Sequence, residues 1–151
     1  MLIRPATAAD IPAMMALERH AVTAAHWRAT DYEGIFAPDT ERVVLVLEEK
    51  EVEGFIVARP VGPQWEIENI AVAGVARRRG LGTRLMGELL KQARAAGAHE
   101  VFLEVRESNR AARRLYQKWA FVESGRRKAY YRDRDEDAVL YRFTFSTPPE
   151  K

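Results

Sequence analysis

The chain has 151 residues, no cysteine and a formal net charge of +2 at pH 7; 47% of its residues are hydrophobic and 30% are charged. This length and balance predict a single globular domain with a substantial core, and the lack of cysteine excludes disulfides, thiolate metal ligands and a cysteine nucleophile. No apolar run reaches the roughly 18 residues that cross a bilayer, and the N-terminal residues lack the apolar stretch of a signal peptide, so we expect a cytoplasmic protein.

Apolar periodicity predicts two helical segments near the N-terminus, after a short strand at residues 2–4. Thr7 or Asp10 caps the first helix, which runs to about Ala25. The second, shorter segment covers residues 30–37.

Later in the chain, strands alternate with two further helices. One helix follows Gly82 and ends at Gly97, a residue type typical of helix C-termini. The other is capped by Ser108 or Asn109 and ends near Trp119. β-branched and aromatic runs predict strands at residues 42–47, 54–58 (ended by Pro60), 65–72, 101–105, 121–128 and 138–145.

The element order is therefore β-α-α-β-β-β-α-β-α-β-β. It predicts one α/β domain over residues 1–145, with a mixed sheet of about seven strands flanked by about four helices. Residues 146–151 are expected to form a disordered tail.

A basic, glycine-containing turn lies between the strand 65–72 and the helix after it. Three arginines precede Gly80-Leu81-Gly82, and such a turn brings backbone N–H groups and the positive end of a helix dipole to an anion. The spacing does not fit a P-loop, which needs a lysine, or a dinucleotide fingerprint, since Leu85 stands at the third glycine position. The turn still predicts a phosphate-bearing ligand.

Charge is unevenly distributed along the chain. Residues 1–75 carry 6 Lys and Arg against 12 Asp and Glu, whereas residues 76–151 carry 18 against 10. A basic second half fits an anionic cofactor or nucleic acid, and an acidic first half fits a cationic substrate. Two solvated surfaces of opposite sign explain the same numbers.

Two segments resemble a known family. The segments are NIAV-x5-RRGLGTRL at residues 69–85 and FLEVRESNRAARRLYQKWAF at residues 102–121. They resemble the GCN5-related N-acetyltransferases, and more narrowly the bacterial ribosomal-protein-alanine N-acetyltransferases. The resemblance covers residues 3–143. It departs at Ala120, where the family usually has glycine, and at residues 25–27 (Ala-His-Trp), where a Phe-Pro-Trp-like triplet is common.

The resemblance implies acetyl-CoA as the cofactor, in the role of co-substrate, and no metal. Asn109 would reach the cofactor; a plain N-cap is the structural alternative, and both roles can hold together. The backbone of Ile70, Ala71 and Val72 would pair with the pantetheine arm, as an added strand does. The pyrophosphate would lie on the turn formed by Arg77, Arg78, Arg79, Gly80, Leu81, Gly82 and Thr83.

Glu104 and Tyr116 are the candidate catalytic residues. Glu104 follows apolar neighbours on a strand, where desolvation would raise its pKa; a pair with an arginine such as Arg106 is the structural alternative. Tyr116 lies on the apolar face of its helix, a typical core position. The resemblance assigns Glu104 as the base for the amine and Tyr116 as the acid for the departing thiolate.

Further candidates surround the acceptor amine. Glu66 and Glu68, predicted to share a strand face with Ile70 and opposite Trp65, Ile67 and Asn69, are rival bases, amine-binding carboxylates or solvent-facing residues. The three histidines have no metal-ligand spacing. Weak substrate-binding candidates are Trp27, Glu66, Glu68, Tyr130 and Tyr131.

The sequence as a whole predicts an acetyl-CoA-dependent N-acetyltransferase. The N-terminal alanine of a ribosomal protein is the expected acceptor, and another protein N-terminus, an amino acid, a polyamine or an antibiotic is the alternative. A non-catalytic RNA- or protein-binding module is disfavoured because the basic residues are not interleaved with exposed aromatics. No membrane partner and no direct nucleic-acid function are expected.

Overall fold

The predicted α/β order is confirmed in the fold. A computed structural model describes residues 1–74, 80–131 and 136–146. Arg77, Arg78 and Arg79 lie outside the described residues, as do residues 147–151 of the tail predicted at residues 146–151. The elements are β1 (Leu2–Pro5), a 3₁₀ turn (Ala8–Asp10), α1 (Ile11–Glu18), α2 (Ala29–Gly34), β2 (Val43–Glu48), β3 (Val52–Val61), β4 (Gln64–Val72), α3 (Leu81–Ala95), β5 (Glu100–Arg106), α4 (Arg110–Lys118), β6 (Val122–Tyr131) and β7 (Glu136–Thr144).

The seven strands form one mixed sheet in the order β1-β2-β3-β4-β5-β7-β6. β4 and β5 run parallel, and each of the other neighbouring pairs is antiparallel. α3 connects the two parallel strands, as a crossover helix does. The one parallel junction therefore lies in the middle of the sheet.

A β-bulge at Glu68 changes the direction of β4. Val57 of β3 pairs with Asn69, but the next residue, Ala58, pairs with Ile67, so Glu68 is the extra residue. A bulge breaks the strict alternation of side chains and bends the strand. The predicted face of Glu66, Glu68 and Ile70 was therefore wrong. Ile70 packs in the same core cluster as Trp65 and Ile67, whereas the Asn69 side chain lies on the opposite side, against α1 and α2.

Two hydrophobic clusters lie on opposite faces of the sheet. α3 contributes Leu85, Met86 and Leu89 to the larger cluster, to which α4 adds Tyr116. The α1/α2 side packs Met14 and Tyr32 against β3 and β4. Each helix thus buries one apolar side, which accounts for the 3.6-residue periodicity of the sequence.

Several predicted boundaries were wrong. α2 ends at Gly34 and not at residue 37, and β6 continues to Tyr131 and not only to residue 128. α1 ends at Glu18 and not near Ala25, because the Glu18 carboxylate accepts hydrogen bonds from the Trp27 backbone N–H (2.7 Å) and the Asn69 amide (3.1 Å), so the chain after it turns across β4. β3 continues through Pro60 to Val61, and the turn is formed instead at residues 62–63, where Gly62 has a positive φ of 58°.

In the part of the chain described, no helix is long and apolar enough to cross a membrane.

Candidate functional site

β4 and β5 separate beyond their first three paired residues and leave a cleft between them. Their last pair is Glu66 with Phe102, yet β4 continues to Val72 and β5 to Arg106. The separation begins next to the bulge at Glu68. A bulge that bends one strand of a pair ends local pairing, and bulges are frequent beside active sites.

The backbone of β4 offers hydrogen-bonding groups to this cleft. Ala73 N donates to Glu53 O at 2.8 Å, towards β3. Because antiparallel ladders alternate, Ala71 also faces β3, whereas Ile70 and Val72 direct their N–H and C=O groups into the cleft. An extended ligand could therefore pair with Ile70 and Val72 as an added strand would, but not with Ala71.

A cavity of about 110 Å³ lies at the wide end of the cleft. It brings together five of the predicted cofactor-binding residues and five that the sequence did not single out for this role. The predicted ones are Ile70, Val72, Gly80, Gly82 and Thr83, and the others are Val22, Thr23, Leu115, Lys118 and Trp119.

The glycine turn leads directly into α3 at this cavity. Gly80 precedes the helix with a φ of 73°, in the left-handed region that favours glycine. The first hydrogen bond of the helix runs from Arg84 N to Gly80 O at 3.3 Å, so the N–H groups before Arg84 lack intrahelical partners. Such N–H groups and a helix dipole are able to bind an anion. The Leu81 side chain is buried in the core, so this residue can contribute only its backbone.

Trp119 closes one side of the cavity. Its Nε1 donates to the Thr83 hydroxyl oxygen at 2.9 Å, which joins the end of α4 to the first turn of α3. A Cβ atom added at Gly82 would lie 3.5 Å from the Trp119 ring and 3.5 Å from Val72. The indole therefore packs directly over the helix start.

Asn109 does not line the cavity itself but contacts Val22, which does, and it makes two hydrogen bonds. Its Oδ1 accepts from Ala112 N at 3.2 Å and caps α4, as one reading of the sequence predicted. Its Nδ2 donates to Val22 O at 2.6 Å, in the loop after α1. In the same loop the Thr23 hydroxyl donates to Ile70 O at 2.7 Å, so this loop covers part of the cleft.

Glu104 lies on β5 on the sheet face opposite α3 and α4. Its side chain is only 12% exposed, and its carboxylate pairs with Arg127 of β6 at 3.0 Å. The alternative partner considered from the sequence, Arg106, pairs instead with Glu136 at 3.5 Å. Desolvation raises the pKa of Glu104, Arg127 opposes this rise, and the negative charge of Glu66 adds to it. A carboxyl with a raised pKa suits proton transfer near neutral pH.

Tyr116 is buried under α4 among aromatic rings, with Tyr141 6.1 Å and Phe121 6.2 Å away between ring centroids. Burial raises the pKa of its phenol, and the neighbouring Tyr131 phenol adds a smaller effect. Burial also raises the pKa of Tyr131, followed by the charge of Glu104. Tyr116 is thus protonated at neutral pH, as a proton donor must be.

The rival carboxylates both have arginine partners. Glu66 pairs with Arg59 of β3 at 3.3 Å, and Glu68 pairs with Arg42 at 2.5 Å. Their side chains are 24% and 19% exposed, so both are less buried than that of Glu104. The environment of Glu104 is therefore the most unusual of the three.

The weaker substrate-binding candidates lie on two different elements. Trp27 packs edge-on against Tyr32 with ring centroids 5.3 Å apart, on the α1/α2 side. Tyr130 and Tyr131 lie on β6, where Arg127 is 5.2 Å from the Tyr130 ring and Arg106 is 4.2 Å from the Tyr131 ring. The charge of Glu104 adds to the effect of burial on the pKa of Tyr131. Trp27 instead lies in the loop between α1 and α2.

The histidines are exposed at positions 20, 26 and 99. Within the described ranges, no three acidic or histidine side chains converge on a point that could hold a metal ion.

A family model supplies the decisive comparison for this arrangement. The model of the acetyltransferase (GNAT) family matches residues 11–121. The chain belongs to this family. The match includes the cleft strands, the glycine turn and the helix carrying Tyr116.

Individual GNAT relatives share part of the chain in sequence. The [ribosomal protein bS18]-alanine N-acetyltransferase of Haemophilus influenzae is 37% identical over 86 residues, which are 57% of this chain and 58% of that protein. N-alpha-acetyltransferase RimI of Mycobacterium tuberculosis is 40% identical over 79 residues, 52% of this chain and 48% of that protein. The matched region thus spans about half the length of these curated relatives.

The fold similarity extends over the whole chain. The crystal structure of the ribosomal-protein-S18-alanine N-acetyltransferase from Escherichia coli has a TM-score of 0.79 and 27% identity, and the alignment covers 99% of this chain and 96% of that one.

Sequence reasoning missed the part that loop and helix residues play in this GNAT cavity. Val22 and Thr23 were placed inside a longer α1, and Trp119 was named only as the end of its helix. A signal existed for Trp119, because an indole N–H usually finds an acceptor and Thr83 of the glycine turn supplies it. No local signal predicts that the loop after α1 crosses β4.

Proposed function

We propose that this protein transfers an acetyl group from acetyl-CoA to a primary amine, and that the acceptor is the N-terminal alanine of a ribosomal protein resembling bS18. The observation that carries the proposal is the parting of β4 and β5 after Glu66 and Phe102. The helix start at Gly80, which lines the cavity, and the largely buried carboxylate of Glu104 further along β5 support it. The named activities of the relatives support the acceptor.

The residues present fit the cofactor. The N–H groups at Gly80, Leu81, Gly82 and Thr83 would receive the pyrophosphate, with Arg77, Arg78 and Arg79 proposed to add positive charge. Ile70 and Val72 would pair with the pantetheine amides, and Asn109 would reach the same arm. Lys118, which lines the cavity, would face the same anionic groups.

Acetyl-CoA supplies an activated thioester. Glu104 would accept the proton of the amine as the amine nitrogen bonds to the carbonyl carbon. The Val72 N–H would donate to the carbonyl oxygen, on which negative charge develops. As the carbon–sulfur bond breaks, Tyr116 would give its proton to the sulfur, so that the products are an amide and a free thiol.

An α-amine as acceptor is chemically consistent with this single carboxylate. With a pKa near 8, an N-terminal amine is about 10% neutral at pH 7, whereas a lysine with a pKa near 10.4 is well below ~1% neutral. The α-amine therefore requires less help from a base.

Acetylation of a ribosomal protein would place the reaction in the cytoplasm.

The test is an assay with purified protein, acetyl-CoA and a peptide copying the first residues of bS18. Thiol release and a mass increase of one acetyl group are expected. A matched peptide blocked at its N-terminus and carrying one internal lysine serves as control and should stay unmodified. Failure to bind acetyl-CoA would contradict the proposal as a whole. Binding without peptide turnover would favour the alternative acceptor, a small amine.

A further inference from the structure

The Glu104 carboxylate is paired with an arginine from two strands away. Nη2 of Arg127 on β6 lies 3.0 Å from Oε1 of Glu104 on β5. β7 lies between these strands, so the two backbones are separated by two strand spacings, about 10 Å. The arginine side chain must therefore lie across β7 to reach the carboxylate.

The register of the sheet explains how it does so. Glu104 is opposite Leu140 of β7, and Leu140 is opposite Gly125 of β6. Arg127 is opposite Ala138, two residues along from Leu140, so Glu104 and Arg127 project from the same face. Gly125 has no side chain, and even a Cβ added there would meet nothing within 4 Å. Small residues at Gly125 and Ala138 thus leave room for the arginine.

Two charged residues on two strands act on Glu104. Glu66 on β4 is negative, and Arg127 on β6 is the positive one among the described groups that act on the pKa of Glu104. Tyr131 on β6 is a phenol whose own pKa is raised by burial and then by Glu104. Burial and Glu66 both disfavour the ionised carboxylate, while the ion pair favours it. With 56% of its side chain exposed, Arg127 stabilises this charge from the solvent side.

We propose that Arg127 is a positioning residue for the transfer reaction, holding the Glu104 carboxylate ionised and directed across the open sheet face so that it can accept the amine proton. This rests on the proposed function for the reaction itself. Only an ionised carboxylate can accept a proton. Loss of the arginine would therefore move the useful pH range of Glu104 upwards.

The neighbouring Arg126 provides a matched control. It lies one residue away on the same strand, but it pairs with Glu107 at 2.8 Å and with Glu123 at 3.6 Å. Arg126→Gln removes the same charge from the same strand without touching Glu104. Arg127→Lys restores a positive charge at the position itself.

The first measurement is kcat/KM against pH for the wild type and three variants. We expect Arg127→Gln to move the acidic limb to higher pH by roughly half a unit or more, because a partly exposed charge partner is being removed. Arg127→Lys should restore much of the wild-type profile, and Arg126→Gln should leave the limb in place. An unmoved limb in Arg127→Gln, or an equal shift in Arg126→Gln, would overturn the inference.

The second measurement does not depend on activity. Carbon-13 NMR of labelled glutamate carboxyls follows the titration of Glu104, whose resonance is identified by its loss in Glu104→Gln. A higher Glu104 pKa in Arg127→Gln supports the inference even if no acceptor is turned over, in which case only the proposed function fails. An unchanged or lower pKa overturns the inference even if the wild type acetylates its peptide.

Discussion

The side-chain amide of Asn109 donates to the carbonyl oxygen of Val22 at 2.6 Å and thereby joins the start of α4 to the loop after α1. The same loop contacts β4, since Thr23 donates to Ile70 O at 2.7 Å. Asn109 and Ile70 are also groups that we assign to the cofactor. The loop therefore joins the start of α4 to β4 through the Asn109 amide and the Ile70 carbonyl.

Substitutions at Asn109 should separate its two roles. Asn109→Ala removes the cap on Ala112 and the donor to Val22, and we expect it to lower the free energy of unfolding by about 1 kcal/mol. Asn109→Ser keeps a capping oxygen but not the amide donor to Val22, so its stability should lie between those of Asn109→Ala and the wild type while acetyl-CoA affinity falls. Urea unfolding and calorimetric titration measure the two quantities. Wild-type affinity in Asn109→Ser would show that the amide does not serve the cofactor.

Loss of either proposed proton-transfer group should slow turnover without unfolding the protein. We expect Glu104→Gln and Tyr116→Phe each to lower kcat by about 10²-fold or more, because each removes the proton transfer and keeps the shape. Steady-state kinetics with the alanine peptide measures this, alongside thermal unfolding. Tyr141→Phe is the control, since it removes a phenol from the same aromatic cluster. The oxygen of this Tyr141 phenol accepts a hydrogen bond from Arg113. A similar loss in the control would mean that packing causes the effect.

Gly80→Ala should impair both stability and cofactor binding. A φ of 73° costs an L-residue about 1 kcal/mol, and relaxation of the turn would misplace the free N–H groups. We expect a lower melting temperature and weaker acetyl-CoA binding. Gly87→Ala, on an open side of the same helix where an added Cβ meets nothing within 4 Å, should instead be neutral or stabilising. Equal affinity in both variants would contradict the assignment of the turn.

Ala120→Gly should stabilise the protein. Ala120 has a φ of 68° directly after α4, where Phe121 N bonds to Tyr116 O and Ala120 N to Gln117 O, both at 3.0 Å. This is the helix-terminal arrangement in which glycine is preferred. Relief of the left-handed strain exceeds the extra chain entropy of glycine, and we expect a gain of roughly 0.5–1 kcal/mol. Chemical denaturation would reveal it; a loss of stability would argue against strain here.

Asp10 should make stability depend on pH. The Arg4 guanidinium binds its carboxylate at 2.9 Å to each oxygen and, with the Thr7 N–H, holds the pKa of Asp10 below its ordinary value. A lowered folded-state pKa gives stability that is present above the unfolded pKa, about 4, and is lost as the pH falls through the folded one.

We therefore expect Asp10→Asn to cost roughly 1–3 kcal/mol at pH 6–7, with the difference from wild type shrinking below about pH 4. Urea unfolding at several pH values measures it. Asp39→Asn, at an exposed aspartate, is the control for loss of a carboxylate elsewhere on the surface. A difference that stays constant down to pH 3 would contradict the ion-pair account.

Much of the fold could be predicted because its signals are local. Helix periodicity, the N-cap at Asn109 and the glycine before α3 depend on neighbouring residues, so the order of elements was correct. The end of α1 was missed because it depends on Glu18 bonding to Asn69, 51 residues away. The face of Ile70 was missed because a bulge inserts one residue into a pairing that no single strand reveals.

By itself the sequence determined the element order, the glycine turn before α3 and the choice of Glu104 and Tyr116 as candidates, since these depend on residue type and short spacing. Only the tertiary structure decided that β4 and β5 part beside Glu68, that the loop after α1 joins Asn109 to the cleft, and that Arg127 rather than Arg106 pairs with Glu104. Strand pairing across β7 selects that partner, because register sets which side chains share a face, and register is a property of the whole sheet.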